Sequence, residues 1–478
     1  MKKHARILAL LLAVCMITAV FAACSNNDDP KQTSATTPKS GDTTTPASEP
    51  DVTTPAPLDV SGYTFRIMGS NDVFPKTNED GSYVNQNAQE LAEKLEDLEE
   101  KLGITIEKLD GGSLEQVTTA ALSGDLLADI IWMHQQGYWP AAKQNALLPL
   151  DDEKLVSAGL NYADETRWYQ PAVKWTALFG KTWGLNVASK YVAAPTGYFV
   201  TFNKDICASA GYNDMYQLVR DKKWTWDVYR EVARKATKDT DSDGVPDIWG
   251  TGATAWGNEA ISNGVQFVGE VNGKWQMTID SDAGIRALQF LYDMNYGDGT
   301  RLDESSGKCR EAFANGTIAF NWSTMGHIDG PTSSIFGANH DYGIIPMPMG
   351  PDATEYYSMT DNNNAFVIQA AHKDLDKAVA ILNEWALIVN DTESYLDILD
   401  DGRCRTEEDK QMMVEYIFPA FTLNMGKMND DVWSIVDEND DGRGIISDVS
   451  YGGHTPKQAV EDWRDALNAA LNDFFDQK

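Results

Sequence analysis

The chain has 478 residues, and its 72 acidic side chains outnumber 39 Lys and Arg for a formal net charge of −33. An acid excess of that size makes nucleic acid and anionic lipid surfaces poor partners of the folded body, and the five cysteines, without a CxxC pair, exclude a disulfide-rich scaffold. The length allows two or more compact lobes.

The N-terminus opens with Lys2, Lys3 and Arg6, then runs apolar from Ile7 to Ala23 with only Thr18 interrupting. That layout predicts an export signal over 1–23, since the run is at the short end of a bilayer span. Ala22 and Ala23 precede Cys24, and "FAAC" resembles a bacterial lipobox with Phe21 in place of the usual Leu or Val. Cys24 is therefore expected to carry the lipid of a membrane anchor. From Ser25 to Pro57 the apolar residues other than Pro are three Ala and Val52, too few to offset ordering entropy. Residues 24–59 read as the lipidated cysteine and a disordered tether with a reach on the order of 30 Å or more. Loss of the three basic residues with the leader would bring the net charge to about −36. Cys207, Cys309 and Cys404 follow Cys24 and allow at most one disulfide among themselves.

The body begins with "YTFRIMG" (63–69), a short apolar run that predicts a buried strand. Val84, Ala88, Leu91, Leu95, Leu98 and Leu102 recur at three- and four-residue intervals and predict a helix stopped by Gly103. "ITIE" (104–107) and "LADIIWM" (127–133) return to strand, and this alternation predicts βαβ units around a mainly parallel sheet. "NAFVIQA" (364–370) repeats the strand signal, followed by a helix burying Leu375, Ala378, Val379, Leu382 and Ala386. Thr455, Pro456 and Gln458 form a capping-box signature for a terminal helix with Val460, Trp463, Leu467, Leu471 and Phe474 on its apolar face.

The order of segments resembles one family, the solute-binding proteins of ABC importers in the carbohydrate-associated family 1 that includes maltose-binding protein. The resemblance spans nearly all of 60–478 and is carried by "EEKLGITIEKL", "ADIIWMHQQGYWPAAKQNALLPLDD", "GKTWGLNV", "FVTFNKDICASAGY", "KWTWDVYREVARKAT", "FANGTIAFNWSTMG", "YGIIPMPMGP" and "FVIQAAHKDLDKAVAILNEW". It implies an α/β, two-lobed periplasmic-binding-protein-like fold of class II, with a hinge between the lobes and C-terminal helices. Lobe 1 is expected over 60–200 plus 365–425, and lobe 2 over 201–364 plus 426–478. The resemblance further implies capture of a carbohydrate in the interlobe cleft, delivery to the membrane subunits of an ABC permease, a monomeric receptor with no catalytic residues, and a place on the extracytoplasmic face of a bacterial cell membrane.

A sugar cleft needs aromatic platforms flanked by amides and carboxylates, and open α/β sheets place ligands past the C-terminal ends of their strands. His134, Gln135, Gln136, Tyr138 and Trp139 follow one strand and match the stretch where the family contacts its sugar. Trp256 and Asn258, then Trp322, Ser323 and Met325, then Asp361, Asn362 and Asn363 hold comparable places, with Asn71 and Asp72 after the first strand. Trp433 falls where maltose-binding protein keeps a stacking aromatic. For each ring, core packing is the competing reading.

"DTDSDGVPD" (239–247) alternates Asp239, Asp241 and Asp243 before Gly244, with the Val245 carbonyl at the seventh and Asp247 at the ninth position of an EF-hand-like loop. The twelfth position is Gly250 rather than Glu, so a structural calcium loop and an Asp-rich surface turn both fit; no other cofactor is expected. "DENDDG" (437–442), with Asp448 beyond it, repeats the spacing more weakly. Gly250, Gly252, Ala255 and Glu270 mimic a dinucleotide fingerprint, but a turn precedes them instead of a strand. GxSxG and HExxH are absent from the sequence, and Gly180-Lys181-Thr182 lacks the upstream Gly of a GxxxxGK[S/T] phosphate loop, since Trp175 stands there. A surface glycosidase and a binder of peptide or polyol are the alternative readings.

Overall fold

The computed structural model describes residues 58–70, 72–194, 196–252, 257–329, 334–360, 363–439 and 441–477. Cys24 and the leader, most of the tether, and the site candidates Asn71, Trp256, Asp361 and Asn362 lie outside the described residues. Among the described residues no helix is long and apolar enough to cross a membrane.

Among the described residues, counted in chain order, nine strands build two main sheets: β1 (Thr64–Met68), β2 (Thr105–Leu109), β3 (Ile130–His134), β4 (Leu147–Leu148), β5 (Phe199–Asn203), β6 (Trp249–Thr251), β7 (Ile318–Ser323), β8 (Tyr342–Ile345) and β9 (Asn364–Gln369). The first sheet has the order β2-β1-β3-β9-β4, with β1 parallel to β2 and β3 and β9 antiparallel to β3 and β4. The second has the order β8-β5-β7-β6, with β7 parallel to β6 and antiparallel to β5.

The first helix, Gln86–Leu102, starts where the Asn85 side chain accepts the Ala88 N–H and ends at Gly103, whose φ of 66° suits glycine. Its buried stripe is Ala88, Leu91, Ala92, Leu95 and Leu98. Val84, expected at the head of that stripe, precedes the cap and is exposed, because the Asn85 cap fixes the helix start one residue after it. Strand β3 begins at Ile130, three residues later than its apolar run suggests. Just before it the buried Asp129 receives the Tyr63 hydroxyl at 2.6 Å, the Arg66 N–H at 2.7 Å and His372 at 2.9 Å, anchoring the strand entry. The terminal helix Pro456–Phe474 carries the full capping box at Thr455 and Gln458, and Trp463 lies at its margin, where its indole N–H donates to Asp448.

One core, with Phe65, Ile67, Leu91, Ile130, Phe366 and Trp385, covers the outer face of the first sheet. A larger one runs from Met133 and Trp139 through to Trp224, Tyr229, Phe290, Phe320 and Leu467 around the second. Three chain segments run side by side between the sheets. Gly197 bridges Thr360, the Tyr198 N–H donates to Met359 O at 3.1 Å, the Thr360 N–H to Thr422 O at 2.9 Å, and Ser358–Met359 pairs in parallel with Phe421–Thr422. Gly197 is required there, since a Cβ would come within 2.3 Å of the Met359 carbonyl and 2.7 Å of the Phe421 ring.

One boundary departs from the expected division. Residues 403–412, assigned above to lobe 1, dock on the second sheet: the buried Asp409 accepts the Tyr216 hydroxyl at 2.6 Å and the Ile344 N–H at 2.9 Å, and Arg220 pairs with Glu408 at 2.9 Å. A buried acid needs such donors, and β8 and its neighbouring helix supply them.

Candidate functional site

The pairing register directs strand ends from both sheets at the crossing segments. Asn364, which opens β9 just after the crossing at 358–360, lies opposite His134, the last residue of β3. Phe199, which opens β5 just after Gly197 and Tyr198, lies opposite Ser323, the last residue of β7, and β6 ends alongside it at Thr251 opposite Phe320. Two walls thus meet at the crossing, each built from C-terminal strand ends, the place where open α/β sheets receive ligands.

On the first wall, the His134 ring caps the helix Gln135–Lys143 by accepting the Gln136 N–H at 3.3 Å. Gln135 is buried, and its Oε1 accepts the N–H of Asn363 at 2.8 Å, while Asn363 Nδ2 donates to the Tyr138 hydroxyl at 2.9 Å. Gln136 stays partly exposed and reaches the C-terminal segment, donating to Asp430 at 2.7 Å. Asp72 is exposed and pairs with Lys76 at 3.0 Å. Trp139 departs from the expectation: it is wholly buried with its indole N–H on Thr176 O at 3.0 Å, so its ring faces core and offers no platform in this conformation.

On the second wall, Asn258 is fully buried and its Oδ1 accepts the Met359 N–H at 3.0 Å, bracing the crossing segment directly. Trp322 is 2% exposed and packs edge-on against Tyr229 with ring centroids 6.4 Å apart, so it too is core. Ser323 is buried, with its hydroxyl 2.9 Å from that of Thr201. Trp433 is half-buried, and the Lys427 ammonium stands 4.8 Å over its ring.

Sequence reasoning missed the most unusual group on this wall. Glu259 lies in the short helix Asn258–Ser262, every residue of which is buried, and neither of its carboxyl oxygens has a hydrogen-bond partner among the described residues. Burial pushes its carboxyl up to about 8, against only a weak pull from the backbone N–H groups of Glu259 and Gly257. A signal was present, because no Lys or Arg occurs between Lys238 and Lys274. Asp437 is raised to about 6, first by burial and then by Glu438 beside it. Other buried polar atoms lack partners here as well: Asn258 Nδ2, Arg301 Nε, and Thr360 Oγ1 and Asn363 Oδ1 on the return crossing.

In the 239–247 turn, carboxylate oxygens of Asp239, Asp241 and Asp247 come within 4.8 Å of one another. The loop's own N–H groups already engage them. Asp239 accepts from Ser242 and Gly244 at 2.7 and 2.8 Å, Asp243 from Val245 at 2.8 Å, and Asp247 from the Thr240 N–H at 2.6 Å. The Thr240 hydroxyl and N–H hold the Asp247 carboxyl below its ordinary range. Asp243 stands outside the three-carboxylate group, so the donor set fits a calcium loop in part. Asp448 also approaches His454 and Asp462, but Arg443 at 3.0 and 2.7 Å and Trp463 at 2.8 Å occupy its oxygens. Cys207, Cys309 and Cys404 are free thiols.

Several solved structures share this fold. The sugar-binding protein MalE from Xanthomonas citri aligns with a TM-score of 0.60 at 15% identity, covering 87% of this chain and 100% of that one. The substrate-binding protein Lmo0181 from Listeria monocytogenes, in complex with cycloalternan, gives 0.57 at 16%, covering 86% and 99%. UgpB from Mycobacterium tuberculosis, in complex with glycerophosphocholine, gives 0.57 at 16%, covering 87% and 98%. At such identities the likeness establishes the two-lobed fold alone. No curated protein matches the sequence. The family described as bacterial extracellular solute-binding protein matches residues 76–386, well over half of the chain, and the chain belongs to that family.

Proposed function

We propose that the protein is the receptor of an ABC importer, capturing a carbohydrate between its two lobes and handing it to the membrane subunits of a permease. In this reading it works as a monomer, held at the extracytoplasmic face of the cell membrane through an acylated Cys24, and catalyses nothing itself. The observation that carries the carbohydrate reading is the set of buried polar atoms without partners where the strand ends meet the crossing: donors at Asn258 Nδ2 and Arg301 Nε, acceptors at Glu259 and Asn363 Oδ1, and the hydroxyl of Thr360. Buried polar groups in native proteins are almost always paired, so such a mixture asks for a ligand that both donates and accepts. A sugar presents hydroxyls that do both. Contact with both walls would shift an open–closed equilibrium toward closure, the state a permease reads. Gln136, His134, Asp72, Asn258 and Trp433, with Asn71, Trp256, Asp361 and Asn362, are the proposed contacts. Asp239, Asp241, Asp243, Asp247 and the Val245 carbonyl are proposed to hold a calcium ion that stiffens the outer loop and takes no part in capture.

The test is a thermal-shift screen of mono- and oligosaccharides, followed by calorimetry on hits and chromatography of the mixture after incubation. Binding of a sugar with no product supports the receptor. Turnover into shorter sugars would make it a glycosidase, and stabilisation only by a peptide or a non-sugar polyol would replace the ligand class.

A further inference from the structure

The second wall contains a buried acid that has no basic partner among the described residues. Glu259 is 1% exposed, and among the described residues neither of its oxygens has a hydrogen-bond partner and no Lys, Arg or His stands at ion-pair distance from it. Structural acids of this chain are treated differently: Asp409, equally buried, receives Tyr216, Ile344, Thr406 and its hydroxyl, and Asp129 receives Tyr63, Arg66 and His372. An unpaired carboxylate in apolar surroundings is too costly to persist as an anion, and the helix that holds it would pack better with an apolar residue there. Its neighbours place it on the wall. Asn258 beside it grips the crossing at Met359, and the helix Asn258–Ser262 that carries both residues packs against the crossing strand Ser358–Met359.

We propose that Glu259 is the counter-charge for an amino group on the solute, so that the cleft takes an amine-bearing sugar; this rests on the carbohydrate reading above. Three further observations agree. A second under-compensated acid, Asp437, ends the helix Asp430–Val436, and one of its carboxyl oxygens has no partner among the described residues. The corner beside it already accommodates an ammonium, since Lys427 stands over the Trp433 ring and its charge acts on Asp437. A net charge of −33 also draws cations toward the cleft. The exchange is charge-neutral: in the empty site Glu259 keeps its proton, as its raised carboxyl requires, and an arriving ammonium displaces that proton to solvent.

The experiment compares glucosamine oligomers with N-acetylglucosamine oligomers of the same length at about pH 6, where the free amine is charged and an empty-site Glu259 is protonated. Calorimetry in two buffers of different ionisation enthalpy counts the protons released. The expected result is on the order of tenfold or greater preference for the amine, close to one proton released per amine bound, and loss of that preference in E259Q. The proton count needs only the wild-type protein, so it stands even if E259Q fails to fold. Equal binding of both oligomers, or amine binding without proton release, overturns the proposal and leaves the carbohydrate reading intact. Failure of every sugar to bind overturns both.

Discussion

Glu259 makes a prediction about folding that is independent of any ligand. Its carboxyl ionises near 4.5 in the unfolded chain and is held up to about 8 in the folded one by burial. Between those values the native state keeps a proton that the unfolded state gives up. Stability therefore falls as pH rises through that window, is full below about 4.5 and flattens above about 8. A gap of roughly three units at about 1.4 kcal/mol each puts the loss at about 3–5 kcal/mol. Glu259→Gln keeps the shape and removes the titration. Unfolding by denaturant at about pH 5 and about pH 9, for both proteins, isolates the effect, because every other titrating group, Asp437 included, is present in each and cancels. The variant should match or slightly trail the wild type at low pH and exceed it by about 3–5 kcal/mol at high pH. A pH-dependent difference smaller than about 0.5 kcal/mol, the usual scale of a neutral surface change, would show that Glu259 is solvated or paired and that the reasoning from its burial is wrong.

The two described tryptophans of the second wall should behave oppositely. Trp322→Ala removes a core ring and should cost roughly 3–5 kcal/mol of stability with affinity intact in the folded fraction. Trp433→Ala should leave stability nearly unchanged and weaken solute binding by about 1–3 kcal/mol, measured by calorimetry. Calcium added to metal-free protein should raise the melting temperature, and Asp239→Asn with Asp241→Asn should abolish the rise; identical melting curves with calcium and with chelator would discard the ion. Cys24→Ala should move the protein from the membrane fraction to the medium with its ligand binding unaltered, and continued membrane retention would favour an uncleaved apolar segment as the anchor.

Periodicity made much of the fold legible because the relevant forces are local. The stripe from Ala88 to Leu98, the Gly103 stop and the capping box at Thr455 are each decided within a few residues, and the strand order βαβ follows from their alternation. The site was less legible. Trp139 and Trp322 sit at strand ends as a platform would, yet each turns inward, because whether a ring faces cleft or core depends on what the distant parts of the chain pack against it. The docking of 403–412 on the second sheet failed to show for the same reason: its cause is Asp409, whose donors Tyr216 and Ile344 lie 193 and 65 residues away. Glu259 was hidden by its ordinariness, as one acid among 72, and what distinguishes it is that no side chain among the described residues pairs with its buried carboxyl.

Those buried amides bear on how capture could move the lobes. Gln135 and Asn258 come from opposite walls, yet both spend an oxygen on the same crossing segment, one on the N–H of Asn363 and the other on the N–H of Met359. A buried backbone N–H that loses its acceptor costs about 1–3 kcal/mol, so neither wall can shift relative to the crossing without replacing its bond. The other side-chain atom of Asn258, Nδ2, and the side-chain Oδ1 of Asn363 have no partner among the described residues. In the proposed function, a solute that satisfied them would bind beside the amides that tie each wall to the crossing. Under that proposal recognition and closure would draw on one set of side chains, and a solute that fits only one wall would occupy the cleft without supplying the differential free energy that closes it.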